Sequence, residues 1–390
     1  MTQLRKNYLL KRIMSILNFL NLKNKTLLQT LLVLVGLVFS SAVDAQTSVH
    51  ENLWSKAVLY EDKENPIVSK FALTGRLQAD YHSFENEVDG LTEKDSQWCR
   101  FRFGFKANLL GGITLHSEAN MNLNQPEPLY RNLTDTYLSW TTEDGMKIKV
   151  GKQSAPFTLH GATSSKKLNT LERGKIARNI WFTNEYFSGI SLSGRKGNWS
   201  YLAGVYSSDE GPEFDEAFEY GTFGVVSAGY NFNESEYFDQ SLLRVDLMLQ
   251  EEDPLNQTPN HKNSFSIVTK LNKGKFNFWG DLSFSNGYST QSDIWGTQLM
   301  PFYDFTDKFQ GVFSYTYVES ENAQGIDVTR YERDLGGLGD EIQEYFFGIN
   351  YFFHGHKLKW QNALQYTVME NLGVKVYEGW GYTSGLRISW

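Results

Sequence analysis

The chain contains 390 residues, 37 of them basic and 45 acidic, and its formal net charge of −8 argues against nucleic acid as a partner. Its one cysteine, Cys99, excludes an intrachain disulfide and disfavours redox or zinc chemistry based on thiolates. Aromatic residues make up 15% of the chain although its mean hydropathy is polar, a combination that a helical membrane protein, apolar on average, would not show.

The N-terminal residues have the pattern of an export signal. Lys23 and Lys25 precede an apolar run over residues 27–39, and a small-residue cleavage site ending at Ala45 follows. The apolar run is shorter than the roughly 20 residues that a membrane-spanning helix needs. We therefore predict a signal peptide over residues 1–45.

Cleavage after Ala45 would remove six basic residues and one acidic residue, which leaves 31 against 44 and a net charge of −13. The stretch before the apolar run is long for a signal peptide, so Met14 is an alternative start. Residues 46–70 show no clear alternation, and we predict a periplasmic tether or a partial strand there.

From residue 71 onward, apolar and polar side chains alternate with a period of two, which is the pattern of β-strands. In the last segment, Tyr382, Leu386 and Trp390 share one face and Thr383 and Arg387 share the other. We count sixteen predicted strands, at 71–82, 100–109, 113–121, 133–141, 146–153, 186–195, 199–206, 222–232, 242–250, 263–272, 275–285, 294–304, 309–318, 343–353, 357–368 and 379–390.

The connections between these strands alternate between short and long. Tight turns such as Lys273-Gly274 separate long polar stretches at 83–97, 123–132, 154–185, 207–221, 251–262, 319–342 and 369–378. Short periplasmic turns and long extracellular loops are typical of outer-membrane barrels. We predict an all-β fold, a sixteen-stranded antiparallel transmembrane β-barrel over residues 71–390, located in the outer membrane of a Gram-negative bacterium.

Basic residues are concentrated in one part of this acidic chain. Between residues 147 and 178 there are eight basic residues and one acid, Glu172, and most of this segment falls in the longest loop, residues 154–185, called the third loop below. Arginine and lysine in a narrow pore can replace the water that an anion loses. The predicted anion-binding residues, on strands of lumen parity and on the third loop, are Arg76, Arg100, Arg102, Lys106, Lys147, Lys149, Lys152, Lys166, Lys167, Arg173, Lys175 and Arg178.

Several blocks of sequence resemble the phosphate-selective porin O and P family. They are Arg100-Phe-Arg-Phe-Gly-Phe-Lys106, Leu133-Thr-Asp-Thr-Tyr-Leu-Ser-Trp140, Lys149-Val-Gly-Lys-Gln-Ser-Ala-Pro-Phe157, Ser164-Ser-Lys-Lys-Leu-Asn-Thr-Leu-Glu-Arg173 and Gly348-Ile-Asn-Tyr-Phe-Phe-His-Gly-His-Lys-Leu-Lys-Trp-Gln361. The resemblance implies a homotrimeric channel of sixteen-stranded protomers, with the third loop folded into each pore and a ladder of Arg and Lys selecting phosphate. The chain departs from the family at Ser154, where a lysine is usual, and in a mid-chain strand whose arginines are reduced to Arg244 beside Asp246.

Other interpretations stay open from the sequence alone. The ladder thinned at Arg244 and the acidic outer loops favour a weakly selective general porin, and the third loop could instead bind lipopolysaccharide phosphates outside the barrel. A barrel enzyme such as a hydrolase is the alternative from another class, with His82 and His116 as lumen-facing histidines that lack a matched nucleophile. His354-Gly-His356 fits a simple turn better than a metal site. We predict no enzyme activity, cofactor or metal, and small inorganic anions, outer-membrane lipid and lipopolysaccharide as partners.

Overall fold

The structure is a computed structural model that describes residues 46–390 apart from 126, 182–185, 233–236 and 329. The predicted signal peptide, residues 1–45, lies outside the described residues. In the segment 46–70, a helix α1 spans Gln46–Ser55, and a short strand β1 spans Val58–Glu61 and pairs with the start of β2. Among the described residues, no helix has the length and apolar character needed to cross a membrane.

Sixteen long strands follow. Their bounds are β2 Val68–Asn86, β3 Leu91–Leu109, β4 Ile113–Met121, β5 Tyr130–Thr141, β6 Lys147–Gln153, β7 Phe187–Lys196, β8 Trp199–Ser207, β9 Thr222–Asn231, β10 Gln240–Gln250, β11 His261–Lys273, β12 Phe276–Gly287, β13 Ile294–Thr306, β14 Phe309–Ser320, β15 Glu341–His354, β16 Leu358–Asn371 and β17 Val374–Ser389. A second short helix, α2, spans Lys175–Asn179 within the third loop.

The strands form one closed antiparallel ring. Each of β2 to β17 pairs with its neighbours in the chain, and β17 closes the ring against β2, with Arg387 opposite Gln78. Closure gives every strand from β2 to β17 a partner on both sides, as a β-structure in lipid requires because hydrocarbon offers no partner for backbone N–H and C=O groups. The predicted sixteen-stranded barrel is confirmed.

Side chains alternate between the lumen and the outer surface along each strand. In β17, Thr383 and Arg387 are buried inside, whereas Trp380 and Leu386 are 45% and 42% exposed on the outside. An outward apolar surface is what the bilayer requires of a transmembrane barrel. The inside is not an empty tube, since many lumen-facing polar side chains are almost fully buried.

The prediction of long loops at 83–97 and 369–378 is wrong. The stretch 83–97 consists largely of the outer ends of β2 and β3, which continue to a turn at residues 87–90, and 369–378 consists of the ends of β16 and β17 around a turn at 372–373. Both stretches were interpreted as loops because they are polar. Strands that extend past the bilayer face water on their outer side, so they lose the apolar half of the alternation.

Two of the outer loops fold into the barrel and pack together there. The described residues of the third loop include Phe157 and Trp181, which are buried in an apolar cluster with lumen-facing Phe223 and Met248. The loop between β14 and β15, residues 321–340, is called the seventh loop below and contributes Ile326 to the same cluster, together with Val328, Tyr331 and Leu335.

Candidate functional site

The third loop begins inside the barrel, where strand side chains bind its backbone. The amide of Leu159 donates to Asp281 Oδ2 at 2.7 Å, and Arg244 Nη2 donates to the carbonyl oxygen of Thr158 at 2.8 Å. Arg244 is also paired with Asp246 through two bonds of 2.8 Å. Buried peptide groups need such partners, and these side chains therefore fix where the loop crosses the lumen.

Further along, the third loop is held by side chains of β15, β16 and β17. Gln361 donates to the backbone of residues 168–170, Asn350 Nδ2 donates to Asn169 O at 2.8 Å, and Arg387 Nη2 donates to Leu171 O at 3.1 Å. Lys359 donates to Leu168 O and is itself fully buried. Side chains of several strands thus hold the described part of the third loop against the inner wall.

A cavity of about 540 Å³ lies between the loops and the wall formed by β3, β4 and β5. Seven arginines and two glutamates line it, a net charge of +5, and these residues are Arg100, Arg102, Arg131, Arg173, Arg178, Arg330, Arg333, Glu172 and Glu210. In a chain with a net charge of −8, this is a strongly segregated positive region.

A β-bulge in β3 contributes to the lining of this cavity. Gln78 is opposite Arg100 and Ala79 is opposite Trp98, so Cys99 is an extra residue in β3. Cys99 and Arg100 consequently both line the cavity, whereas strict alternation would place the cysteine outside. The thiol of Cys99 donates to Glu172 Oε1 at 2.7 Å.

Glu172, the one acid of the basic segment, is neutralised within the site. Arg100 donates two hydrogen bonds of 2.9 and 2.8 Å to the carboxylate of Glu172, and Arg330 lies 3.5 Å from the same carboxylate. Burial alone would raise the pKa of Glu172, but the charges of Arg100 and Arg330 outweigh burial and hold the pKa well below its usual range. The carboxylate is therefore ionised and paired.

Aromatic rings orient two of the other cavity arginines. The guanidinium of Arg102 lies 4.9 Å from the ring centre of Tyr186 and donates to its hydroxyl group. The guanidinium of Arg173 lies 5.3 Å from the ring of Trp181, and its Nε donates to His160 O at 3.0 Å. Burial, together with the charge of Arg173, lowers the pKa of His160 to about 3, so this histidine is neutral.

A second group of predicted residues lies beyond Arg102 along the same wall. Arg76 pairs with Glu118 at 2.9 Å and donates to Ser165 Oγ at 2.6 Å. Lys166 Nζ donates to Trp390 O at 3.3 Å, which places this part of the third loop near the C-terminal end of the chain. Burial, followed by the charge of Arg76, lowers the pKa of Lys166 to about 8.

Lysines of β3 and β6 continue this group. Lys106 is exposed, Lys147 and Lys149 are half-buried, and Lys149 lies 4.8 Å from the ring of Tyr137. Lys147 and Lys149 interact electrostatically with Lys106, and both also interact with Asp135. Lys167 on the third loop is exposed. The positive side chains thus follow the wall from β2 to β6.

Three predicted residues are bound by the protein itself. Lys152 is almost fully buried and donates to the carbonyl oxygens of Gly211 and Glu213. Lys175 is fully buried and pairs with Glu332 and with Glu344, and Arg178 pairs with Asp327. Sequence alternation and loop charge could not reveal these partners, because they come from loops and strands distant in the chain.

Several charged residues of the site were not predicted from the sequence. Arg131, Arg330 and Arg333 line the cavity but fall in stretches interpreted as outward polar loops. Glu118 and Asp135 place negative charge beside Arg76 and Lys149. The acidic neighbours of Arg330 and Arg333 obscured their significance, although two arginines in an otherwise acidic loop were the available signal.

The described residues offer one group that could hold a metal ion, formed by Asp80, Cys99 and Glu172. Arg387 already pairs with Asp80, and Arg100 with Glu172. Cations so close to the carboxylates disfavour a further positive ion. His354 and His356 belong to no such group among the residues that the structure describes.

The barrel is similar in fold to solved outer-membrane proteins. OmpT of Vibrio cholerae shares 14% identity with a TM-score of 0.55 and matches over 82% of this chain and 98% of that one. An anion-selective porin from Comamonas acidovorans shares 10% with a TM-score of 0.59, over 82% and 99%, and the channel DcaP of Acinetobacter baumannii shares 12% with a TM-score of 0.55, over 82% and 97%. At these identities the matches show the fold. No curated protein matches the chain.

The protein is an outer-membrane β-barrel with the fold of porins. Residues 71–232 match the family model described as phosphate-selective porin O and P, so the family resemblance predicted from the sequence is confirmed. The matched region begins within β2, ends just after β9 and contains the third loop. Porins are channels and not enzymes, and this finding decides against the barrel hydrolase.

Proposed function

We propose that the protein is a passive channel for small anions, with phosphate as the leading substrate. The observation that carries the proposal is the cavity of about 540 Å³ lined by seven arginines and two glutamates. The family description names phosphate, and the charge pattern by itself supports anions in general.

The proposed route runs along the wall from β2 to β6. Anions enter the arginine-lined cavity, pass Arg76 and Lys166, and leave beside Lys106, Lys147 and Lys149. Loss of hydration in a narrow pore is costly for an ion. Guanidinium groups replace the lost water with forked hydrogen bonds, and several sites of moderate strength let the ion leave again.

We infer a homotrimer with one pore in each protomer and contact with outer-membrane lipid and lipopolysaccharide. A structure of OmpT of Vibrio cholerae, 16% identical with a TM-score of 0.53, is described as a trimer form. Crosslinking of the protein in native membranes tests the assembly.

The test is the zero-current potential of the purified channel in a planar bilayer under a potassium chloride gradient. We expect the sign that corresponds to chloride permeability above potassium permeability, and we expect added phosphate to reduce the chloride current by competition. Lys166→Glu/Lys167→Glu is expected to weaken both effects, because it reverses two positive charges on the proposed route. Lys94→Glu/Lys308→Glu is the matched control, since both lysines are exposed and neither lines the cavity. Cation preference in the wild type would refute the proposal.

A weakly selective general porin is the second candidate, and one observation favours it. Several predicted cations already have carboxylate partners, including Arg76 with Glu118, Arg100 with Glu172 and Lys175 with Glu332. A paired arginine attracts anions less than an unpaired one. A permeability ratio close to one, without competition by phosphate, would favour this alternative.

A further inference from the structure

The seventh loop, residues 321–340, lies inside the barrel together with the third loop. Ile326 and Val328 are fully buried, and they share an apolar cluster with Ile176 and Ile180 of the third loop. Asn86 Nδ2, on the inner face of β2, donates to Leu335 O at 3.1 Å. This burial is unlike that of an outer loop exposed to water, although the loop is rich in charged residues.

Paired amide groups join the two loops. Asn179 Nδ2 donates to Asp327 O at 3.0 Å, and the amide of Asp327 donates back to Asn179 Oδ1 at 2.8 Å. Arg178 of the third loop pairs with the carboxylate of Asp327. Three contacts at two neighbouring residues fix the position of one loop relative to the other.

A buried ionic cluster is the strongest connection. Lys175 and Glu332 have side chains with 0% exposure and pair directly, and Glu344 of β15 lies 3.1 Å from the same amine. Glu332 also accepts from Thr367 at 2.7 Å and from Gln365 at 3.1 Å. Removing one partner of a buried, hydrogen-bonded pair is strongly destabilising, so the seventh loop is held firmly against the third loop and the wall.

The seventh loop brings two arginines to the cavity. Arg330 Nη1 lies 3.5 Å from Glu172 and 2.7 Å from the sulfur of Cys99, so it offsets the one acid between residues 147 and 178. Arg333 lines the same cavity and is exposed. The third loop and the wall therefore supply only part of the positive lining.

We propose that the seventh loop is a second selectivity element and that Arg330 and Arg333 are specificity-determining residues of the channel. The inference rests on the proposed anion transport and extends it. The third loop supplies one side of the filter, and the seventh loop, held to it through Lys175 and Glu332, supplies the other. Anion selectivity should accordingly depend on two arginines of a loop whose net charge is negative.

The test compares Arg333→Glu with Arg333→Lys, because an exposed residue can be changed with little effect on folding. We expect Arg333→Glu to lower the chloride-to-potassium permeability ratio severalfold and Arg333→Lys to stay close to the wild type. Lys94→Glu is the matched control, with the same charge change at an exposed site outside the cavity. It should leave the ratio unchanged.

The outcomes separate the inference from the proposed function. A wild-type channel that prefers anions, with an unchanged ratio in Arg333→Glu, would overturn the role of the seventh loop and leave anion transport intact. An equal loss of selectivity in Lys94→Glu and Arg333→Glu would also overturn it, because the effect would then be one of general surface charge. A wild-type channel without anion preference would refute both.

Discussion

Lys166 shows how the setting of one residue can control the charge of the proposed pore. Its amine lies near Arg76 and Glu118, and burial is the largest of the influences that lower its pKa to about 8. An ordinary lysine has a pKa near 10.4 and keeps its charge throughout the physiological range. Lys166 is charged below pH 8 and loses its charge as the pH rises through that value.

This difference predicts a pH-dependent selectivity. Anion preference should fall between about pH 7 and pH 9, one unit on either side of the lowered pKa, because a positive charge leaves the route. Lys166→Arg should remove the pH dependence, since arginine stays protonated. Zero-current potentials measured across this range provide the test. A fall of the same size in Lys166→Arg would show that another group titrates.

At the scale of elements, the position of the third loop depends on strand side chains. Asp281 of β12 accepts from the amide of Leu159 at 2.7 Å and from the hydroxyl groups of Ser266 and Ser283 at 2.9 and 2.7 Å. Arg244 binds the adjacent carbonyl of Thr158. Two strands separated by β11 thus hold the N–H and the C=O of one peptide group of the loop, which is how a rigid barrel can position an irregular segment.

Asp281→Ala should loosen the third loop without opening the barrel. The substitution leaves a buried amide unpaired, at a cost of about 1–3 kcal/mol. We expect single-channel recordings to show larger current fluctuations and a lower anion preference. Asp281→Asn retains a side-chain oxygen acceptor and is the matched control. Current fluctuations and an anion preference equal to those of the wild type in Asp281→Ala would contradict the anchoring role.

At the scale of the whole molecule, the number of strands and the side of the barrel that each side chain faces can be predicted from the sequence. Lipid on the outside and water in the lumen require apolar and polar side chains to alternate within each strand. Apolar Leu386 faces outward and charged Arg387 faces inward, as their alternation in the sequence predicts. Ends of strands above the bilayer carry no such signal, and residues 83–97 were therefore mistaken for a loop.

The site could be predicted only in part. Arg100, Arg102 and Arg173 were predicted from parity and loop charge, and all three line the cavity. The bulge at Cys99 and the burial of Lys175 could not be predicted, because they depend on pairing between distant segments. Long-range ion pairs decide which cations remain available to a solute, and local sequence patterns do not encode them.

The most direct test of the account is a crystal structure of the protein grown in bromide, with anomalous scattering used to locate the anion. Bromide peaks are expected inside the barrel, beside Arg102 and Arg333 in the cavity and beside Lys106 and Lys149 further along the wall. Peaks confined to the outer surface, with an interior that excludes bromide, would contradict it.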